Sequence, residues 1–356
     1  MDDQLIRLLD LCREPMIALQ GATVVHVNPA AAAIFSTLTP GASAIGTLPD
    51  YLIFDLPEGA VTAVSIGGCE FTVSAARFGG MCLLSLYAER AAETGFVSDG
   101  LMNELRSSLF NIDLSARQLA RAGESGDRQR FLAFLRHNYF RLARQLGNLG
   151  SVIQLREGAI PLHPRRLDLA AFCRELTDAV ASLCAPELAR LVFSTALPSL
   201  SACIDRDLIE RLLLNLLDNS FRHCTPDGCV TLGLERKGER AILSVDDDGS
   251  GIPADVLQNV FRRYESRVRP DTLSRPLSGG LGLAVARGIA ELHGGALIIE
   301  SKPGRGTSVR VMLPLEQPGA NILEDTPGSG SGVRLDTLLT ELSGTLHASC
   351  YVPDEI

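Results

Sequence analysis

The sequence predicts a multi-domain α+β protein, and three observations support that fold class. A length of 356 residues favours two or three domains. Between residues 97 and 156, apolar residues recur three and four apart, which is typical of amphipathic helices. On both sides of this region, short apolar strands alternate with glycine turns and helices. We therefore expect four segments: 1–92, 93–160, 161–316 and 317–356.

The first segment predicts a mixed α/β module. It reads EPMIALQGATVVHVNPAAAAIFS: an apolar strand, a turn at Gly21, a second strand, and a helix begun by Asn28 and Pro29. The stretches GGCEFTVSAARF and GGMCLLSLY predict further strands. The VNPAA run resembles a loose signature of PAS sensor domains, which implies a module that binds a small ligand or dimerises.

Two amphipathic helices are predicted next, from about 97 to 120 and from about 128 to 156. The AGESGD break between them makes a helical hairpin. Because two such apolar stripes are covered more fully by a second copy than by each other, we expect a dimeric four-helix bundle. A monomeric helical spacer is the alternative. The stripes consist of Leu101, Leu105, Leu109 and Ile112, followed by Phe131, Leu135, Leu142, Leu146, Leu149 and Ile153.

The stretch LLLNLLDNSFRHCTP predicts a helix with two amide side chains on one face. Asn215 and Asn219 are one turn apart and therefore project from the same side. A carboxamide oxygen is a hard, neutral ligand that suits magnesium, and Asn219 is our choice for that contact. The alternative is that both residues cap or solvate an ordinary helix.

A second stretch, AILSV followed by DDDGSGIP, predicts a strand that breaks into an acidic, glycine-containing loop. Gly249 and Gly251 permit a close approach of a planar base to the main chain. Asp247 could then accept a hydrogen bond from an exocyclic amino group. An acidic surface loop is the alternative.

Two further glycine stretches follow. Gly279, Gly280 and Gly282 precede a predicted helix, whose start offers free backbone donors to a phosphate, although neither the dinucleotide fingerprint nor the P-loop pattern is met. In KPGRGTSVRVMLP, a turn at Gly306 precedes a strand that begins at Thr307. For this last stretch, a plain hairpin connection is the alternative.

In order and spacing, these four stretches resemble the N, G1, G2 and G3 boxes of the catalytic domain of sensor histidine kinases, a branch of the GHKL ATPase superfamily. The resemblance implies an α/β sandwich that binds ATP and magnesium, with Asn219 on the metal and Asp247 on the adenine. It also implies an F box at 260–264 and a lid over ATP at about 262–278. The ATP-binding residues would be Asn215, Asn219, Arg222, His223, Asp247, Gly249, Gly251, Gly280, Leu281, Gly282, Leu283 and Thr307. The chain departs from the family pattern at Asp248, where Asn is usual, and at Ser278.

The predicted hairpin contains NELRSSLFNI, which resembles the family's phosphoacceptor box. That box normally opens with His, and here Asn103 takes the position. A carboxamide nitrogen has a delocalised lone pair and is not a nucleophile, so phosphorylation at this position is chemically excluded. Glu104, which would assist proton transfer, is retained, as is Ser107.

Composition favours a cytoplasmic protein. The net charge of −9 argues against a dedicated nucleic-acid surface. Nine cysteines, an odd number, suit a reducing compartment better than a disulfide framework. We find no apolar run of about 18 residues and no signal peptide. Cys224 and Cys229 beside His223 suggest zinc, but they lack a second pair of ligands.

The last segment combines a Gly-, Ser- and Pro-rich linker with a short amphipathic stripe. Leu335, Leu338, Leu339 and Leu342 form that stripe. It docks on the body, docks on a partner or stays disordered, and the sequence does not rank these outcomes.

Two hypotheses for function follow. One is a sensor kinase that hydrolyses ATP or transfers its phosphate. The other is a catalytically inactive scaffold whose nucleotide-controlled dimer docks a response regulator or another kinase. The ATP boxes favour the first and Asn103 favours the second. An ATPase clamp of another superfamily branch is a third reading, against which the preceding hairpin argues.

Overall fold

The computed structural model describes residues 3–66, 69–78, 80–88, 99–121, 125–183, 189–225, 227–257, 260, 281–316, 323–324 and 333–352. The chain divides into two compact units. The first comprises Met1–Glu93, Ile252–Arg263 and Ile298–Lys302, and the second comprises Thr94–Gly251, Tyr264–Leu297 and Pro303–Ile356. No helix of the described residues combines the length and the apolar character needed to cross a membrane.

The first unit is an antiparallel sheet with short helices. Its strands follow the order β2-β1-β5-β4-β3 and continue to the second half of β11. The predicted strands and the turn at Gly21, which has a φ of 58°, are confirmed. The elements are α1 (Asp3–Leu11), β1 (Met16–Gln20), β2 (Thr23–Val27), α2 (Pro29–Ala32), α3 (Asp50–Phe54), β3 (Val61–Ile66), β4 (Cys69–Phe78), β5 (Met81–Ala88), α8 (Ala254–Leu257) and β11 (Ala296–Ser301).

Asn28 explains how the start of α2 is fixed in this unit. Its side chain is fully buried, and its Oδ1 accepts hydrogen bonds from the backbone N–H of Met16 and of Ala31, each at 2.9 Å. Its Nδ2 donates to the carbonyl of Glu14 at 2.9 Å and to that of Leu9 at 3.2 Å. One amide therefore caps the helix and ties it to the chain that precedes β1.

The predicted hairpin is formed by α4 (Asp99–Arg121) and α5 (Ser125–Arg156), which pack along each other. The second helix begins three residues earlier than the pattern suggested, inside the AGESGD break, because Ser and Gly do not forbid a first helical turn. Several large apolar side chains of the hairpin are exposed: Leu109, Phe110, Leu114, Phe134, Tyr139 and Leu146.

The rest of the second unit is a sheet with helices packed against it. Its larger sheet has the order β12-β10-β9-β7, in which β7 and β9 are parallel and the other pairs antiparallel. A small sheet has the order β13-β6-β8. The elements are β6 (Arg165–Asp168), α6 (Leu169–Leu183), β7 (Arg190–Thr195), β8 (Ser201–Ile204), α7 (Arg206–His223), β9 (Cys229–Lys237), β10 (Arg240–Asp247), α9 (Gly282–Leu292), β12 (Thr307–Pro314) and β13 (Leu323–Glu324).

The C-terminal stripe docks on this body. It forms α10 (Leu335–Glu341), which is followed by a 3-10 helix (Ala348–Tyr351). Leu338, Leu339 and Leu342 are buried, whereas Leu335 stays exposed. Of the three outcomes that the sequence left open, the structure therefore shows docking on the body.

Candidate nucleotide-binding site

Helix α7 carries the predicted amide pair, and its start is held firmly. Asp205 caps the helix through its Oδ1, which accepts a hydrogen bond from Leu208 N–H at 3.2 Å. The backbone N–H of Asp205 donates to Nε2 of His293 at 3.1 Å, and Nδ1 of His293 bonds the Ile289 carbonyl at 2.8 Å. Burial lowers the pKa of His293, so the neutral ring that this arrangement requires is favoured. The start of α7 is thereby fixed to the end of α9.

Asp247 lies at the end of β10, directly beside the last turn of α7. Its Oδ1 accepts hydrogen bonds from Gly249 N–H at 3.0 Å and Thr307 N–H at 3.2 Å. The hydroxyl of Ser220, on α7, also donates to this carboxylate. Burial raises the pKa of Asp247, and these three donors oppose that rise. The carboxylate is thus held in one orientation by three different parts of the chain.

Two glycines allow the main chain to close around Asp247. A side-chain carbon at Gly249 would meet the carbonyl oxygen of His223 and would lie 2.8 Å from Oδ1 of Asp247. Gly306 has a φ of 88°, and a side chain there would meet the Asp247 carbonyl. Gly251 also has a positive φ, of 67°. The protein's own atoms therefore leave no room for a side chain at Gly249 or Gly306. The close approach of a planar base, which the sequence indicates at Gly249 and Gly251, stays a prediction.

The two asparagines of α7 have different surroundings, although they lie one turn apart. Asn215 is fully buried, where its Nδ2 donates to the Arg211 carbonyl at 2.9 Å and its Oδ1 accepts from Arg144 at 3.1 Å. Asn219 is half-buried, and its carboxamide has no hydrogen bond to any described residue. The carboxamide of Asn215, in contrast, is engaged within the protein.

Arg222 and His223 end α7. The guanidinium of Arg222 lies 2.9 Å from the Asp218 carboxylate and is about one quarter exposed. His223 is half-buried, and burial lowers its pKa, while the Asp247 carboxylate opposes that shift. Both residues therefore lie on the helix turn that borders Asp247.

Helix α9 begins at Gly282, where the sequence predicted a backbone that binds phosphate. No side chain of the described residues caps its first turn. A side chain at Gly282 would lie 2.6 Å from Oδ1 of Asn215, so α9 and α7 approach closely here. Leu283 is buried and Leu281 is partly exposed.

Several predicted residues lie outside the described part of the chain. Gly280 and the predicted lid at 262–278 are among them, and Val260 alone represents the predicted F box. Asn103 and Glu104 lie in α4, but their side chains are outside the described part.

Asp248 holds the loop before β9 through two hydrogen bonds. At this position the sequence departs from the sensor histidine kinase pattern that it resembles. The exposed carboxylate of Asp248 accepts a hydrogen bond from Cys224 Sγ at 2.9 Å and from Cys229 N–H at 3.0 Å. These bonds, chiefly the one from Cys224, lower the pKa of Asp248. Burial and the nearby Asp248 carboxylate raise the pKa of the Cys224 thiol to about 12. Cys224 is therefore a neutral donor. Within the described ranges, no group of three or more His, Cys, Asp or Glu side chains could hold a metal ion.

Sequence reasoning missed Ser220, Asp218 and the link between Asp205 and His293. Ser220 follows Asn219 directly, and its serine hydroxyl in a helix gave no signal by itself. Its role as a donor to Asp247 depends on the packing of β10 beside α7, which the sequence does not specify.

This region of the chain matches a known protein family. A family model of the histidine kinase-, DNA gyrase B-, and HSP90-like ATPases matches residues 204–317. That range contains α7, β10, α9 and β12, which together carry the site.

Curated relatives show the same resemblance, two of them over longer stretches. The chain is 35% identical over 159 residues to the adaptive-response sensory kinase SasA of Parasynechococcus marenigrum, covering 44% of this chain and 40% of the relative. It is 32% identical over 229 residues to the sensor protein SphS of Synechococcus elongatus, covering 62% and 54%. With the alginate biosynthesis sensor protein KinB of Pseudomonas aeruginosa, it shares 35% identity over 113 residues, covering 32% and 18%. The chain thus spans less than two thirds of the length of these relatives.

Among solved structures, the Acinetobacter baumannii histidine kinase AdeS matches with a TM-score of 0.45 and 20% identity. The match covers 60% of this chain and 97% of that one.

Proposed function

We propose, given that residues 204–317 form a catalytic ATPase domain of the histidine kinase type, that this protein binds Mg-ATP and takes part in phosphorelay signalling. The observation that carries the proposal is the orientation of Asp247. Three donors fix its carboxylate, and glycines at 249 and 306 keep side chains away from it. A half-buried acceptor of this kind suits the exocyclic amino group of adenine.

Magnesium fits beside Asn219. Its half-buried carboxamide oxygen has no partner among the described residues, and a neutral oxygen ligand suits a Mg²⁺ ion that keeps several waters and binds substrate phosphates. When bound, the ion neutralises charge on the phosphates. The start of α9 would hold the same phosphates through backbone N–H groups, and Arg222 and His223 would border them. Asn215 contributes by keeping α7 in place.

Removing magnesium tests this assignment. We expect wild-type protein to bind ATP in isothermal titration calorimetry and to lose affinity when EDTA removes Mg²⁺. Asn219→Ala should lower the affinity for Mg-ATP on the order of tenfold, since a lost contact to a charged group costs about 1.5–3 kcal/mol. The same variant should bind ATP in EDTA as the wild type does. An unchanged affinity for Mg-ATP would remove Asn219 from the metal site.

A homodimer forms part of the proposal. Several large apolar side chains of α4 and α5 are exposed to solvent, among them Leu109 at 54% and Phe110 at 65%. Such a group is more than the single exposed apolar residues that are normal on a protein surface, and a second hairpin would cover it. We expect light scattering to give a dimer for the wild type and a monomer for Phe110→Glu. Phe110→Leu, which keeps an apolar side chain at the same position, should remain dimeric. A monomeric wild type would support the helical spacer instead.

The proposal includes a partner and a compartment. A response regulator or another kinase would bind the dimeric hairpin, and the odd number of cysteines suits the cytoplasm. Asn103 favours a second candidate function, a catalytically inactive scaffold whose bound nucleotide sets the conformation offered to that partner.

A further inference from the structure

Residues 333–352, here called the C-terminal segment, cover the place where α7 lies beside α5. Helix α10 contacts both of these helices, and the 3-10 helix contacts α5. Leu338, Leu342 and Leu346 of the segment are at most 3% exposed. The segment is therefore a packed element, although the linker before it is rich in Gly, Ser and Pro.

A buried charge network joins the segment to both helices through Glu341. Its Oε1 lies 3.2 Å from Arg211 Nε on α7, and its Oε2 lies 3.6 Å from Arg144 Nε on α5. The Nδ2 of Asn215 donates to the same carboxylate at 3.3 Å. One carboxylate from the segment therefore holds an arginine of each helix.

Asp218 forms the second half of the network. Its fully buried carboxylate pairs with Arg144 from α5 and with Arg222, at 2.9 Å, from its own helix. The hydroxyl of Thr345, in the segment, donates to its other oxygen at 3.0 Å. Without Glu341, Arg144 would keep only Asp218 as an anionic partner and Arg211 would lose the carboxylate beside it, which is unfavourable at low dielectric.

Aromatic contacts anchor the end of the segment on α5. The hydroxyl of the fully buried Tyr351 donates to the Leu339 carbonyl at 2.8 Å. Its ring centroid lies 4.9 Å from that of His137 and 5.5 Å from that of Phe140. His137 also bonds the Ser343 carbonyl at 2.9 Å. These contacts place the segment in one position along the helix.

We propose that the C-terminal segment is an intramolecular clasp that fastens α7 to α5, so that the ATPase domain moves against the hairpin only after the segment is released. The clasp holds Asn215 and Asp218, which precede Asn219 on α7 by four residues and by one. A restraint of the nucleotide site by the clasp rests on the proposed function. The fastening of α7 to α5 is independent of that function.

Charge reversal at two positions of α10 tests the clasp in the full chain. We expect Glu341→Arg to release the segment, because four cationic groups would then share the network. Hydrogen exchange should become at least tenfold faster in 333–352 and in the facing turns of α5 and α7. Asp336→Arg makes the same charge change at an exposed position of the same helix and should leave exchange in α5 and α7 as in the wild type. Unchanged protection in β9 and β10 would show that the ATPase domain remains folded.

A second variant covers the case in which Glu341→Arg does not fold. Tyr351→Ala removes the aromatic anchor without adding charge, and we expect it to raise exchange in the same three regions. Faster exchange confined to 333–352, with α5 and α7 unchanged, would overturn the clasp, as would no change in any of them. Calorimetry with Mg-ATP on the wild-type sample judges the proposed function separately, because the exchange experiment contains no nucleotide.

Discussion

Asn103→His is expected to add a phosphoacceptor at the position where the sequence resembles the phosphoacceptor box of sensor histidine kinases. With ATP labelled on the terminal phosphate, the wild type should gain no acid-labile label, whereas the variant should gain up to about one phosphoryl group per chain. The reason is chemical. An imidazole nitrogen can attack the terminal phosphorus and release ADP, whereas the delocalised lone pair of a carboxamide cannot. Glu104, the neighbouring residue, remains available to assist proton transfer.

Asn103→Gln is the matched control, because it alters the side chain but keeps the amide, and it should stay unlabelled. The double variant Asn103→His with Asp247→Asn should gain label more slowly than Asn103→His at subsaturating ATP, since its affinity for ATP is expected to be about 30-fold lower. Acid-labile label on the wild type would contradict the scaffold and reveal another acceptor. An unlabelled Asn103→His protein that still binds Mg-ATP would favour the scaffold.

Asp247→Asn is expected to weaken ATP binding about 30-fold, because replacing a charged acceptor costs about 2 kcal/mol or more. The asparagine retains an oxygen that can accept from Gly249 and Thr307, so the loop should keep its shape. Calorimetry with Mg-ATP measures the loss. Affinity of the wild type should also fall as pH is lowered, because burial raises the pKa of Asp247 and the protonated carboxyl is a poorer acceptor.

Asp246→Asn provides the control for that experiment. Asp246 is the preceding residue on β10, points to the opposite side, and accepts a hydrogen bond from Ser244 at 2.8 Å. Its replacement should leave both the affinity and its pH dependence unchanged. If Asp247→Asn bound ATP as tightly as the wild type, the adenine assignment would be wrong.

Local patterns predicted much of the fold. Asn28 and Pro29 marked the start of α2, and the leucine spacing marked both helices of the hairpin, because helix starts and amphipathic stripes depend on residues a few positions apart. The need for glycine at 249 and 251 was predictable for a similar reason. Close backbone approach and positive φ both exclude side chains.

The surroundings of Asn215 and Asn219 were not predictable in this way. Helical periodicity places both on one side of α7, yet α5 and α10 cover Asn215 and leave Asn219 partly open. Helical periodicity gives the direction of each side chain, but it does not say which neighbouring element packs against that side of the helix. The role of Ser220 was missed for the same reason.

By itself, the sequence predicted the order of the elements and the residues of an ATPase-type site along α7, β10 and α9. It also places Asn103 where the phosphoacceptor box that it resembles has His. Those features depend on residues that lie close together in the sequence. Only the tertiary structure decided that the C-terminal stripe docks on the body, and that Arg144 pairs with Asp218, 74 residues away. Such pairing depends on which surfaces exclude water together, and no local spacing specifies it.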